Sequence, residues 1–233
     1  MTPVSPTARG AVIAPLAGEA HSAAALAARG WRVQLCGIGP ARARRAANQL
    51  LAAGMRRLLV WGTAGGLEAG LKPGAVFVPD IVVNGTDGRR FPVSASWHAQ
   101  LVQVLAPLGA AVVGDGTLVT VPEAAATHDA KRALAAQSGA CMVDMETAAV
   151  AEAALQAGAE FAVIRVLADD VNAALPPSVL AALDSPHPYL GVLTGLLRRP
   201  QDLPAVLRLD RTFRHAYRRL AAVARTLAAA DRQ

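Results

Sequence analysis

Acidic side chains stand where strands should end in this chain, and they are its best candidates for chemistry. Glu19 follows a short apolar run. Asp144 and Glu146 flank Met145 where a strand runs into an alanine-rich helix. Asp169 and Asp170 follow the apolar run Phe161–Leu167. In an open α/β sheet a site usually lies just beyond the strand ends. Two glycine-rich turns accompany them, Cys36-Gly37-Ile38-Gly39-Pro40 and Gly62-Thr63-Ala64-Gly65-Gly66-Leu67. Each feature also has a plainer reading. Glu19 suits the first turn of a helix, where the dipole favours a carboxylate. Asp169-Asp170 suits a turn or a helix cap. Asp144 and Glu146 occupy alternate positions about Met145, so one of them is expected to point inward.

Other chemistries are excluded. Neither G-x-x-x-x-G-K-[ST] nor a complete G-x-G-x-x-G occurs, so no nucleotide-phosphate loop is supported. The five histidines (21, 98, 128, 187 and 215) and the two cysteines (36 and 141) lack metal-ligand spacing, so no metal is expected. Ser22, Ser94 and Ser96 lack the context of a nucleophile elbow. No cofactor is implied.

The elements that must position these residues follow from the pattern of apolar runs. The chain has 233 residues, of which 53% are hydrophobic, 4% aromatic and 17% charged. That length suits one large domain, and the apolar content is too high for disorder. Alanine fills 53 positions, so large apolar side chains are fewer than the percentage suggests. Strands are expected at Ala11–Leu16, Arg32–Leu35, Arg57–Trp61, Ala75–Val83, Ala111–Gly114, Leu118–Val121, Ala140–Met145 and Phe161–Leu167. Helices are expected at Glu19–Ala28, Pro40–Ala53, Ala95–Ala106, Glu123–Ala136 and Glu146–Ala157, with Gly30, Gly54 and Gly158 as left-handed caps. Strands alternating with helices predict a single three-layer α/β domain, a mixed central sheet flanked by helices. The core is expected over residues 1–174. A Pro-rich connection and a basic helical extension of the same domain follow over 175–233.

Charge is uneven. The net charge of +6 resides in the last 39 residues, where nine arginines face three aspartates. From Asp202 onward the apolar residues recur at helical spacing, with arginines on the remaining positions. The longest uncharged stretch, residues 91–114, is too polar for a membrane span. Arg9 and the short run Ala11–Ala17 read as a first strand rather than a signal peptide, and the two cysteines read as reduced thiols, so a cytoplasmic location is expected.

Taken in order, these segments resemble the nucleoside phosphorylase/nucleosidase superfamily. Glu19 comes first, then Gly37-Ile38-Gly39 and Gly62-Thr63-Ala64-Gly65-Gly66-Leu67. Leu71-Lys72-Pro73-Gly74-Ala75-Val76 resembles the family's L-K-x-G-D-[IV], Val143-Asp144-Met145-Glu146 its V-[ED]-M-E, and Arg165-Val166-Leu167-Ala168-Asp169 its R-x-[IL]-S-D. The resemblance covers roughly residues 11–172. It implies cleavage of an N-ribosidic bond through an oxocarbenium-like transition state. By resemblance, Asp169 protonates N7 of the departing purine, and Glu19 orients or deprotonates the attacking water. Glu146 accepts hydrogen bonds from both ribose hydroxyls, Met145 packs on the sugar, and Asp144 joins the substrate contacts. Thr63, Ala64 and Gly65 line the purine and nucleophile side. Val121 stands where an aromatic often stacks on the base.

Two departures bear on mechanism. The serine that usually precedes the catalytic aspartate is Ala168. The phosphorylases' arginine before the Gly62-Thr63 turn is replaced by Val60-Trp61, which favours water as nucleophile. Phosphate stays a possible co-substrate that would need Arg42, Arg44, Arg45 or Arg89, whose default reading is a solvated surface. Within the superfamily, the compact N-terminal region, the D-x-x-x-x-L-P run from Asp170 to Pro176 and the Arg-rich tail resemble the hopanoid-associated phosphorylase branch. That likeness implies a nucleoside with a lipid moiety, adenosylhopane, a homo-oligomer, and peripheral contact of the basic C-terminal helix with the inner face of the membrane. Methylthioadenosine/adenosylhomocysteine nucleosidase and purine nucleoside phosphorylase are the alternative readings, and a non-enzymatic nucleoside-binding module is a third. The body is neutral and the tail has no stacking platform, so no nucleic-acid partner is expected.

Overall fold

A strand with every side chain buried must be covered on both faces, and β1 (Ala11–Ala14) has that pattern. In the computed structural model, which describes residues 10–183 and 188–231, β1 pairs in parallel with β2 (Arg32–Leu35) and β3 (Arg57–Gly66). The other strands are β4 (Val76–Phe77), β5 (Ile81–Asn84), β6 (Arg90–Pro92), β7 (Val112–Val113), β8 (Thr117–Thr120), β9 (Met142–Asp144) and β10 (Glu160–Asp169). Their order is β6-β5-β8-β9-β3-β10-β4-β7, with β1 and β2 branching from β3. The sheet is mixed: β3 runs parallel to β1 and β10 but antiparallel to β9, and β10 runs antiparallel to β4. The long strands β3 and β10 thus form the spine, and the site assembles where both end.

Helices cover the sheet: α1 (Ala17–Ser22), α2 (Ala24–Ala27), α3 (Pro40–Ala52), α4 (Ala95–Leu105), α5 (His128–Ser138), α6 (Thr147–Gln156), α7 (Pro177–Leu183), α8 (Pro188–Arg198) and α9 (Leu203–Ala230). Helix α3 opens with a proline suited to a first turn. It buries Ala43, Ala46, Ala47, Leu50 and Leu51, a stripe that packs on α6. Helix α6 is buried from Thr147 to Ala154. Its run of alanines lets it lie close against both α3 and the sheet. In α9, Ala216, Leu220, Val223, Ala224 and Ala228 are buried against α1, α2, α4 and β10, while most of its arginines are exposed.

Several expected boundaries change. The run Ala75–Val83 divides into β4 and β5 around Pro79, which has no N–H for a ladder. The stretch expected to turn at Gly62–Leu67 continues β3, because Gly62 through Gly65 pair with β10 and then Gly65 and Gly66 with β9. The helix expected from Glu123 starts at His128, where the Thr127 hydroxyl accepts from the Ala130 N–H and caps it. The helix expected over Glu19–Ala28 breaks into α1 and α2 at Ala23. The Pro-rich stretch read as a connection contains α7 and is followed by α8; residues 184–187 of it lie outside the described residues. Strand β6 was not foreseen.

The packing of α9 yields a contrast. Leu220 is fully buried and Leu197 is 79% exposed. Leu220→Ala is expected to lower unfolding free energy by about 2–5 kcal/mol, and Leu197→Ala by less than about 0.5 kcal/mol, in urea denaturation. Equal effects would mean that α9 is not docked on the body.

Candidate active site

One buried guanidinium organises the ends of these strands. Arg165, on β10 and fully buried, donates from Nη2 to Asp144 Oδ2 and to the Thr147 hydroxyl at 3.0 Å. Its Nη2 also lies 3.6 Å from Glu146 Oε2. Glu19 completes the ring from the other side. A Cβ placed on Gly62 would stand 2.5 Å from Arg165 Nη1 and 2.9 Å from the Glu19 carboxyl carbon. Only glycine therefore fits β3 where it passes under this pair.

Each carboxylate is held by local geometry. Glu19, in the first turn of α1, accepts from the Thr63 N–H (2.8 Å) and hydroxyl (2.7 Å) and from the Leu16 N–H (3.0 Å). Gly18 must be small because a Cβ there would meet the Tyr217 ring of α9 at 2.6 Å. Glu146 accepts the Gly39 N–H at 2.8 Å, so the turn at Gly37-Ile38-Gly39 is tied to the strand–helix junction. Asp169 stands at the end of β10 beyond a bulge, opposite Gly65. Its Oδ2 accepts from Lys131 Nζ of α5.

These side chains line one cavity of about 150 Å³, together with Leu16, Ile38, Thr63, Ala64, Gly65, Met145 and Phe213. Of the residues singled out from sequence, Glu19, Thr63, Ala64, Gly65, Asp144, Met145, Glu146 and Asp169 meet there. Val121 does not line it. Its backbone N–H bonds the Asp144 carbonyl, and its side chain packs toward Gly85. Ala124 and Ala125 form the wall in its place. Asp144 is turned into the wall, where Thr120 (2.6 Å), the Thr147 N–H (3.3 Å), the Thr147 hydroxyl and Arg165 occupy its oxygens. Asp144 and Glu146 are both buried, where one of them was expected to point inward. The strand stops at Asp144 and Glu146 caps α6, so strand and helix each contribute one of the two buried acids.

Sequence reasoning missed three members. Arg165 lay within a quoted motif without a role. Lys131 carried no signal among other helical residues. Phe213, from α9, supplies an aromatic side chain that the β8 region lacks. Arg42, Arg44, Arg45 and Arg89 stay outside the cavity lining. Arg44 and Arg89 pair with Glu152, and Arg42 donates to the Ile38 carbonyl. Among the described residues no His, Cys, Asp and Glu cluster could hold a metal ion, and no helix is long and apolar enough to cross a membrane.

Burial sets the electrostatics. It pushes the Glu146 carboxyl up to about 7, against the pull of Arg165 and with Asp144 adding to the rise. Burial also raises Glu19, opposed by Arg165 and the Thr63 bonds, and raises Asp169, opposed by Lys131. Burial disfavours the Arg165 charge, but Asp144, Glu146 and Glu19 outweigh this and keep its pKa above the ordinary arginine value.

A mixed sheet whose strand ends gather buried carboxylates in one cavity is the frame of a nucleoside phosphorylase-like enzyme. The chain belongs to the Phosphorylase superfamily, whose sequence profile matches residues 24–181. Among solved structures it is similar to the futalosine hydrolase of Helicobacter pylori, at 16% identity and a TM-score of 0.73, covering 96% of this chain and 97% of that one. The 5′-methylthioadenosine/S-adenosylhomocysteine nucleosidase of Neisseria meningitidis, complexed with methylthio-immucillin-A, is similar at 17% identity and a TM-score of 0.71, covering 96% and 99%. That of Streptococcus pyogenes, complexed with 5-methylthiotubericidin, matches at 18% identity and a TM-score of 0.69, covering 93% and 94%. No curated sequence matches the chain.

The raised carboxyls have a cost that depends on pH. An acid whose pKa rises on folding holds its proton better folded than unfolded. Its stabilising contribution is therefore full below the unfolded value of 4.5 and is lost as pH rises through about 7 for Glu146. Glu146→Gln keeps the shape without the titration. Its stability relative to the parent is expected to grow by about 1–3 kcal/mol between about pH 5 and about pH 8, read by denaturation. An unchanged difference would mean that Glu146 titrates normally.

Proposed function

We propose that the chain hydrolyses the N-ribosidic bond of a 5′-substituted adenosine and releases adenine. The observation that carries this reading is the convergence of Glu19, Glu146 and Asp169 on one cavity whose lining, among the described residues, contains no arginine. Asp169, with its pKa raised by burial, is suited to give a proton to N7 of the purine and draw electrons out of the C1′–N9 bond. Glu146 has two acceptor oxygens for two ribose hydroxyls. The Glu19 carboxylate, pinned by Thr63 and Leu16, is suited to orient a water at C1′ and take its proton. Phe213 and Met145 supply apolar surface for the base and sugar. The absence of a lining arginine supports water over phosphate as nucleophile.

The 5′ substituent we propose is a polycyclic hydrocarbon, as in adenosylhopane, so that the protein meets its substrate at a membrane. The support is a surface at the α8–α9 corner. Leu193, Leu197, Leu203 and Leu207 are exposed there, between 47% and 79%, beside the exposed Arg198, Arg199, Arg208 and Arg211. Along α9, Phe213 in the cavity lies only about 9 Å from Leu207 at 1.5 Å per residue. Exposed apolar side chains with exposed arginines near them in the chain suit an anionic lipid surface, each arginine contributing about 1 kcal/mol. We propose a homo-oligomer as the working form.

Adenine release should occur from adenosylhopane in detergent at the same rate with and without phosphate, and Asp169→Asn should lower turnover by about 100-fold or more. Release from methylthioadenosine alone would move the chain to nucleoside salvage, and a strict phosphate requirement would remove the hydrolytic assignment. Vesicles with anionic lipid should sediment the protein at low salt, and zwitterionic vesicles should not. Replacing Leu193, Leu197, Leu203 and Leu207 together by Ser should abolish that binding while leaving hydrolysis of methylthioadenosine intact.

A further inference from the structure

Lys131 is the most completely buried cation of the α5 region, at 1% exposure, and the proposed reaction leaves it without a role. Its three ammonium protons are all assigned. One goes to Asp169 Oδ2, one to the Asp170 carbonyl at 2.8 Å and one to the Ala173 carbonyl at 3.0 Å. An ammonium with three donors spent has none left for a ligand. Lys131 therefore acts through its neighbours. About one turn earlier, His128 of the same helix bonds the Val171 carbonyl at 3.1 Å, and the Leu175 N–H bonds the Ala126 carbonyl at 2.9 Å. Helix α5 thus clamps the segment 170–175, which closes the cavity beside Asp169.

The carboxyl itself is held asymmetrically. Oδ2 accepts from Lys131, whereas no hydrogen bond reaches Oδ1 among the described residues. Ala168, next to Asp169, has no side-chain donor to offer. We propose that Lys131 is the positioning residue of Asp169: by occupying Oδ2 it directs the transferable proton to Oδ1 and fixes that oxygen toward the departing base. This rests on the reading of the cavity as a nucleosidase site. In the step it serves, the Oδ1 proton passes to N7 and the C1′–N9 electron pair goes to the base. Water oxygen bonds C1′ and gives its proton to Glu19. Asp169 becomes a carboxylate beside an ammonium that is already in place.

The same contact tunes the pH range. The charged and titratable groups about Asp169, among the described residues, are Lys131 and His128 from α5, its neighbour Asp170, Asp202 and Arg208 in the adjoining groove, and Glu19, Asp144 and Glu146 around the cavity. Burial raises Asp169, Lys131 opposes that rise and Asp170 adds to it. Loss of the lysine charge should move the titration of Asp169 upward.

Two variants separate charge from donation. Lys131→Gln keeps an N–H donor, and Lys131→Met keeps neither donor nor charge. With methylthioadenosine as substrate, both should shift the alkaline limb of kcat/KM upward by about 1 pH unit or more. The plateau should stay near the parent value for Gln and fall by about tenfold or more for Met. Carboxyl ¹³C NMR of the substrate-free protein, with the Asp169 signal assigned by Asp169→Asn, should show the same upward shift. That titration needs no turnover, so it tests the pairing even if the parent releases no adenine, which would instead overturn the proposed function. An Asp169 titration identical in all three proteins, or equal plateaus for Gln and Met, overturns the positioning role.

Discussion

One guanidinium beneath three carboxylates is the constraint that organises this molecule. Arg165 has no solvent exposure, so its charge must be met by protein groups. Asp144, Glu146 and Glu19 come from three different elements, which the pairing of β3 with β1, β9 and β10 brings around the guanidinium. Gly62 follows from the same requirement, since a side chain there would displace both the guanidinium and Glu19. Removing the cation would leave three buried acids facing one another. The sheet and the site are in this sense a single construction.

The division of labour among the acids follows from what holds each one. Asp144 is surrounded by hydroxyls and Arg165, so its oxygens are occupied before any ligand arrives. Glu146 keeps one oxygen on a backbone N–H and the other at a distance from Arg165. Asp169 faces a lysine instead. Glu19, Glu146 and Asp169, which line the cavity, are the acids that burial pushes up, a strain on stability held in the folded site.

Much of this was legible in sequence for a physical reason. Singly, the acids at Glu19, Glu146 and Asp169 each had a plainer structural reading, and it was their order along the chain with the glycine-rich segments that singled them out; the fold brings all three to one cavity. The long strand β10 and the stripe of α3 announced themselves by hydrophobic pattern. What escaped depended on tertiary contact. Nothing local distinguishes Lys131 from an exposed helical lysine, because its burial is created by the segment 170–175 folding over it. Phe213 lies about 40 residues beyond the last motif and joins the site only because α9 lies back across the body. Val121 was misjudged because adjacency to β8 does not say which way a side chain faces. The glycines at 62–66 read as a turn, although close approach of Arg165 and Glu19, rather than chain reversal, explains Gly62.

The bulge in β10 acts as a phase shifter. Residues four apart on a regular strand share a face, and by that rule Arg165 and Asp169 would point the same way. Two residues of β10, Ala168 and Asp169, advance against a single step of β3, from Ala64 to Gly65. The extra residue breaks the parity between the arginine that braces the sheet and the acid that faces the cavity. One strand can then serve two compartments, an ionic foundation below and a cavity wall above. The length of the Arg165–Asp169 spacer thereby becomes as strict a requirement as the identity of either end.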